Sequence, residues 1–154
     1  MSWPHVPPMF VLILALAVTL AAMVAGALLR RGKRAELLAL ARQWGMHYTP
    51  RDTFNLSSRV APHLPVPGAA DVLVCDLIYG TEAAGHRYIF CAEFTVGIIR
   101  AKKRRRCVCS VVEPRDHSDA AMWTGLRIAP TELPILEQYR NLHDEAAGPA
   151  ISLV

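Results

Sequence analysis

The chain has 154 residues, a net charge of +4 and 53% hydrophobic side chains, which leaves room for one domain of ordinary size and no second. Its four cysteines are too few for a disulfide scaffold. The charge is uneven: Arg30, Arg31, Lys33 and Arg34 form one cluster, and Arg100, Lys102, Lys103, Arg104, Arg105 and Arg106 form another. Removing these ten cations from +4 leaves the remainder at −6, which excludes a uniformly basic surface.

Residues 1–8, MSWPHVPP, carry no Lys or Arg, and residues 9–29 follow with 21 side chains free of charge, Thr19 being the one polar group. At about 1.5 Å per residue such a helix is roughly 31 Å long, the thickness of a hydrocarbon core. Only a helix satisfies all of its own backbone amides in lipid, so the stretch is predicted to be a transmembrane helix. The cations Arg30, Arg31, Lys33 and Arg34 then orient it, by the positive-inside rule, with residues 1–8 outside and the remainder cytoplasmic. The rival is a cleaved secretory signal, since Ala25-Gly26-Ala27 offers small residues after an apolar run. A signal wants a basic beginning, a shorter apolar region and translocatable residues beyond it, and none of the three is found here.

Residues 30–45 read as a basic stop and a short amphipathic helix continuing from the span. Leu37, Leu40, Ala41 and Trp44 fall on one helical face, and Gly45 suits the position just past a helix end. Residues 46–143 then form the expected domain. Residues 46–49 are extended up to Pro50, and a proline-rich connector with at most a turn or short helix near 52–59 leads to residue 70. Residues 71–79 and 86–96 are the clearest strands. In the second, His86, Tyr88, Phe90, Ala92, Phe94 and Val96 alternate with Arg87, Ile89, Cys91, Glu93 and Thr95, which predicts a half-buried antiparallel hairpin. A basic loop over 100–106 precedes a third strand at 107–113. A short strand near 126–128 and a helix from Thr131, as N-cap, to about His143 follow, and residues 144–154 are a tail. The fold class is α+β: an N-terminal transmembrane helix, then a small antiparallel β-meander packed with one or two helices.

Six adjacent cations cannot be buried without partners, so the 100–106 run must meet water or an anionic surface. Contact with anionic lipid headgroups is worth about 1 kcal/mol per basic residue near a bilayer. Phosphate contacts to nucleic acid are the weaker expectation, and a plain solvated hairpin tip is the bland one. Cys107 and Cys109 share a strand face. A four-thiolate zinc site with Cys75 and Cys91 would need paired ligands in turns, whereas a hairpin turning between Glu82 and Ala83 sets Cys75 opposite Phe90, with Cys91 on the other face. Buried thiols are the reading, and neither metal nor cofactor is expected. The histidines are scattered, and the chain holds no phosphate loop, GxSxG, HExxH or dinucleotide fingerprint. Nothing in the sequence therefore points to an enzyme.

The order of an apolar span, a basic stop, Trp44-Gly45 with Tyr48 soon after, Ile78-Tyr79-Gly80, Gly85 and an aromatic strand containing Tyr88, Phe90 and Phe94 resembles small membrane-anchored bacterial proteins of unknown function, of the actinobacterial type. The resemblance covers about residues 9–113 and implies a helix-plus-sheet domain behind an anchor; it brings no ligand and no catalytic residues. The partners expected from the whole sequence are the bilayer, its anionic headgroups and other membrane proteins. The expected role is binding or assembly at the cytoplasmic face, with a membrane-attached enzyme or nucleic-acid binder as the alternative.

Overall fold

A computed structural model describes residues 7–97, 103–115 and 125–147. The chain divides into two compact units, Met1–Ala35 and Glu36–Val154. In the first, helix α1 (Pro8–Gln43, whose last turns belong to the second unit) contains an apolar stretch of mean hydropathy 2.7 with none of its residues buried. By length and composition it is able to cross a membrane. Thr19 returns its hydroxyl to the Leu16 carbonyl at 2.8 Å, so its one polar side chain is satisfied within the helix.

The end of α1 follows from Gly45. With φ at +67°, Gly45 turns the chain into the left-handed region, its N–H bonds the Arg42 carbonyl, and the Met46 N–H bonds the Ala41 carbonyl. These are the two hydrogen bonds of a Schellman cap. The predicted amphipathic face is present: Leu37, Leu40 and Ala41 are buried.

A five-stranded antiparallel sheet in the order β1-β2-β3-β4-β5 forms the domain's centre. Its strands are β1 (His47–Arg51), β2 (Ala70–Glu82), β3 (Gly85–Val96), β4 (Lys103–Pro114) and β5 (Arg127–Ile128). Pro50 lies inside β1 and does not end it, because β1 is an edge strand on which a missing N–H is harmless. Helix α2 (Leu56–Val60) and the short 3₁₀ turn Ala61–His63 cross one face. Helix α3 (Ile135–Ala147) and the last turns of α1 supply the other.

The sheet is therefore covered on both sides, which corrects the half-buried hairpin. Tyr88, Phe90, Ala92 and Phe94 join Leu56, Val60 and Leu77 on the α2 side. Ile89 packs with Leu37, Leu40, Ala41, Val108, Tyr139 and Leu142 on the other. Even Arg87, on the face read as mixed, is 3% exposed, and its guanidinium holds Glu82 at 2.7 Å.

Three boundaries also differ from expectation. The β2–β3 connection shrinks to Ala83 and Ala84, with Glu82 opposite Gly85. Gly85 permits this: its φ of +150° suits glycine alone, and a Cβ there would run into the Glu113 carbonyl. Helix α3 starts at Ile135, so Thr131 is not its N-cap; the residue before Pro134 is steered away from helical geometry. The same helix extends to Ala147, into what was read as tail.

Strand β2 is interrupted twice, between Ala70 and Leu73 and between Cys75 and Ile78. Each interruption holds an aspartate at positive φ, Asp71 (52°) and Asp76 (50°). Aspartate tolerates that conformation better than most residues because its short polar side chain finds local partners. At Asp76 the partners come from two directions: Tyr48 donates its hydroxyl to Oδ1 at 2.8 Å, and the fully buried Tyr139 donates to the backbone oxygen at 2.6 Å. The second bulge places Asp76 and Leu77 together opposite Phe90 and shifts the register by one.

Candidate functional site

Arg30, Arg31, Lys33 and Arg34 lie exposed along α1. Of the second cluster, Arg100 and Lys102 lie outside the described residues. Lys103, Arg104, Arg105 and Arg106 are exposed, as expected, but they are not in a loop. They form the first four residues of β4, paired with Val96, Thr95, Phe94 and Glu93 of β3. The correction has a physical source. Strand pairing uses only the backbone, so cations can occupy a strand whose side chains still reach water.

Register sends Arg104 and Arg106 to one face of the sheet and Lys103 and Arg105 to the other. Arg104 contacts Glu93 at 2.6 Å, a surface pair across neighbouring strands. Among the described residues, no ion pair ties Lys103, Arg105 or Arg106. Strand β5 covers β4 only at Cys109 and Ser110. The cationic stretch therefore has no strand partner on its outer side among the described residues, and like charge along such an edge opposes strand addition by another copy.

Sequence reasoning missed a second feature, a cleft of about 550 Å³ at the hairpin end of the sheet, whose lining includes His47, Phe54, Tyr79, Thr81, His86 and Tyr88. The register assembles it, since His47, Tyr79 and Tyr88 are successive cross-strand neighbours. Phe54 stands edge-on to Tyr79 and Tyr88, with ring centres 4.8 and 5.3 Å away. Alternation in β3 gave the side of Tyr88; Phe54 comes from the connector, where no periodicity marks it.

Beneath the cleft, Tyr88 donates its hydroxyl to Glu113 Oε2 at 2.9 Å, and Arg59 holds Oε1 at 2.8 Å. Burial, and then the Glu113 hydrogen bond, push the Tyr88 phenol up to about 12. Burial would raise the Glu113 carboxyl, but Arg59 and Tyr88 outweigh it and hold Glu113 below the usual range. Near neutrality one group is fixed as a neutral donor and the other as an anion. Thr81 Oγ1 and His86 Nδ1 are 3.0 Å apart, a cross-strand pair in the same cleft. The hydrogen bond of this imidazole is made to Thr81, while the Glu113 oxygens take those of Arg59 and Tyr88. The arrangement can stack against and hydrogen-bond a ligand; it does not assemble an activated nucleophile.

The cysteines fall into two pairs on opposite faces. Cys107 and Cys109 have their sulfurs 3.5 Å apart on the α2 side. Cys75 and Cys91 are direct cross-strand partners on the other side and share a side-chain hydrogen bond. The expectation that Cys75 meets Phe90 is overturned: the turn falls between Ala83 and Ala84, which would set Cys75 opposite Ala92, and the Asp76 bulge brings it back to Cys91. Opposite faces cannot converge on one ion, and among the described residues no three His, Cys, Asp or Glu side chains are grouped to hold a metal.

Fold and site define only a class: an α+β domain whose meander is covered by helices on both faces, preceded by a helix apolar enough to span a bilayer. No family model, curated protein or solved structure matches the chain.

Proposed function

We propose that the chain is a single-span membrane protein whose domain is a binding or assembly module at the cytoplasmic face, with the cations of 100–106 set against anionic lipid headgroups. Supporting the anchor are the uncharged stretch of α1 and the cluster Arg30, Arg31, Lys33 and Arg34 directly after it, against no Lys or Arg before it. A secretory signal shares the apolar helix but not the flanks.

The observation that favours lipid is the extended, exposed display of Lys103, Arg104, Arg105 and Arg106. Each basic side chain near an anionic surface contributes about 1 kcal/mol, so the three without a described ion pair amount to roughly 3 kcal/mol, falling with salt. That is weak for a free protein and sufficient for one already held at the bilayer by its own chain.

The test is co-sedimentation of residues 36–154 with vesicles at millimolar lipid and low ionic strength, where an attraction of roughly 3 kcal/mol is measurable without the anchor. Binding is expected to vesicles containing phosphatidylserine, to be absent with phosphatidylcholine alone, and to fall when Arg104, Arg105 and Arg106 become Ser. Equal sedimentation of both proteins, or equal binding to both vesicles, overturns the proposal. A steep, salt-dependent shift of nucleic acid without vesicle binding would assign the cations to phosphate backbones instead.

A further inference from the structure

Cys75 and Cys91 are brought together by an irregularity in β2. On a regular strand Cys75 would not pair with Cys91, because the register next to the turn, with Tyr79 opposite Tyr88 and Ile78 opposite Ile89, would carry on one residue out of step. The bulge at Asp76 absorbs that residue and sets the two thiols face to face. Direct antiparallel partners have Cα atoms about 4.5–5.5 Å apart, inside the about 4.4–6.8 Å that a disulfide spans. The other pair is placed less well: residues i and i+2 of a strand are separated by about 6.6–6.8 Å, at the far limit. The two thiols of the cross-strand pair also differ in access. Cys75 is half-buried, whereas Cys91 is 5% exposed.

We propose that Cys75 and Cys91 form a reversible oxidation site that closes a disulfide between β2 and β3 by exchange with a low-molecular-weight disulfide. Cys75, the accessible thiol, gives up its proton, and its sulfur attacks one sulfur of the small disulfide. The S–S bond of the small molecule breaks, and one small thiolate leaves and takes up a proton. Cys91 then loses its proton and attacks the Cys75 sulfur, and the second small thiol departs. The protein pair is oxidised by two electrons, the small disulfide is reduced by two, and the two protons end on the released thiols. The hydrogen bond from Cys91 lowers Cys75, the more exposed thiol and the one that attacks first. In a reducing compartment the pair rests as thiols. Closing the bridge fixes the register on one side of the bulge whose backbone oxygen receives the Tyr139 hydroxyl, and so holds the seat of α3.

The test uses the full chain, folded in detergent micelles, equilibrated with oxidised glutathione, quenched with a maleimide and digested with trypsin. Cleavage after Arg59, Arg87, Arg100 and Arg106 puts Cys75 in peptide 60–87, Cys91 in 88–100, and both Cys107 and Cys109 in 107–115. The expected product is 60–87 joined to 88–100, lost on addition of reduced glutathione, while 107–115 captures two maleimides. Cys91→Ser is expected to stop at the intermediate, with one glutathione on Cys75; Cys91→Ala serves if the serine variant does not fold. The proposal is overturned if 60–87 and 88–100 each capture maleimide after equilibration, if the bridge forms within 107–115, or if the variant leaves Cys75 unmodified.

Discussion

Asp52 holds α2 to its turn and, through Ser57, to the sheet. Its Oδ1 accepts the N–H groups of Phe54 (3.2 Å) and Leu56 (2.9 Å), and its Oδ2 accepts the N–H and hydroxyl of Ser57, both at 2.7 Å. Ser57 Oγ in turn accepts the N–H of Val74 in β2 at 2.9 Å. A carboxylate serving the first N–H groups of a helix acts as its cap, a role Asn55 does not fill with its own side chain. Asp52→Ala removes four charge-assisted bonds; because the group is half-exposed and water replaces part of the loss, the expected cost is about 2 kcal/mol. For a domain of this size that lowers the thermal midpoint by about 8 °C. Asp52→Asn is expected to recover less than half, since its NH₂ would face the donors of Ser57.

The pH dependence has a definite sign. Burial would raise the Asp52 carboxyl, but its hydrogen bonds to Ser57, Leu56 and Phe54 prevail and hold it below the ordinary aspartate value. Its contribution is therefore complete above that value and disappears as pH falls through the lower folded one. Thermal melts of wild type and Asp52→Ala followed by circular dichroism should differ at pH 7 and converge in acid. Midpoints that agree at pH 7, or a gap that survives at pH well below the aspartate range, would refute the capping argument.

Gly85→Ala should cost about 3 kcal/mol or more, because the new Cβ meets the Glu113 backbone and φ is unfavourable; chemical denaturation measures it, and a stability within experimental error of wild type contradicts the turn geometry. Tyr139→Phe leaves the Asp76 carbonyl without its donor and should cost about 1–2 kcal/mol in the same assay, with amide exchange accelerating in α3 before β3. Replacing Arg30, Arg31, Lys33 and Arg34 by Ser should give a mixture of orientations in protease protection of membrane vesicles, where the native chain gives one.

Much of this architecture could be read from residue patterns. The apolar stretch, the face of Leu37, Leu40 and Ala41, the stop at Gly45 and the main strands each rest on periodicity or a single conformational requirement. What escaped depended on register and on contacts distant in sequence. Asp71 and Asp76 inside a β-branched run were signals of bulges, because aspartate is depleted from strands and enriched at positive φ. Pairing Cys75 with Cys91 needs two things together, the bulge at Asp76 and a turn one residue later than expected, between Ala83 and Ala84. The second helical layer over Ile89 and Cys91 was hidden because the alternation in β3 is equally compatible with water or a helix on the mixed face. The basic run looked like a loop because its charge was weighed and its backbone pairing was not. The aromatic cleft needs Phe54, Tyr79 and His47 from three separate segments, and no local pattern joins them.

Anchoring with the domain inside the cell is tested most directly by a reporter fused after Val154, read beside the N-terminal sequence of the mature chain. A phosphatase that requires export should be inactive there, a fluorescent protein that requires the cytoplasm should be bright, and the chain should retain residues 9–29. An active phosphatase, or a mature protein beginning near Leu28, would contradict the account.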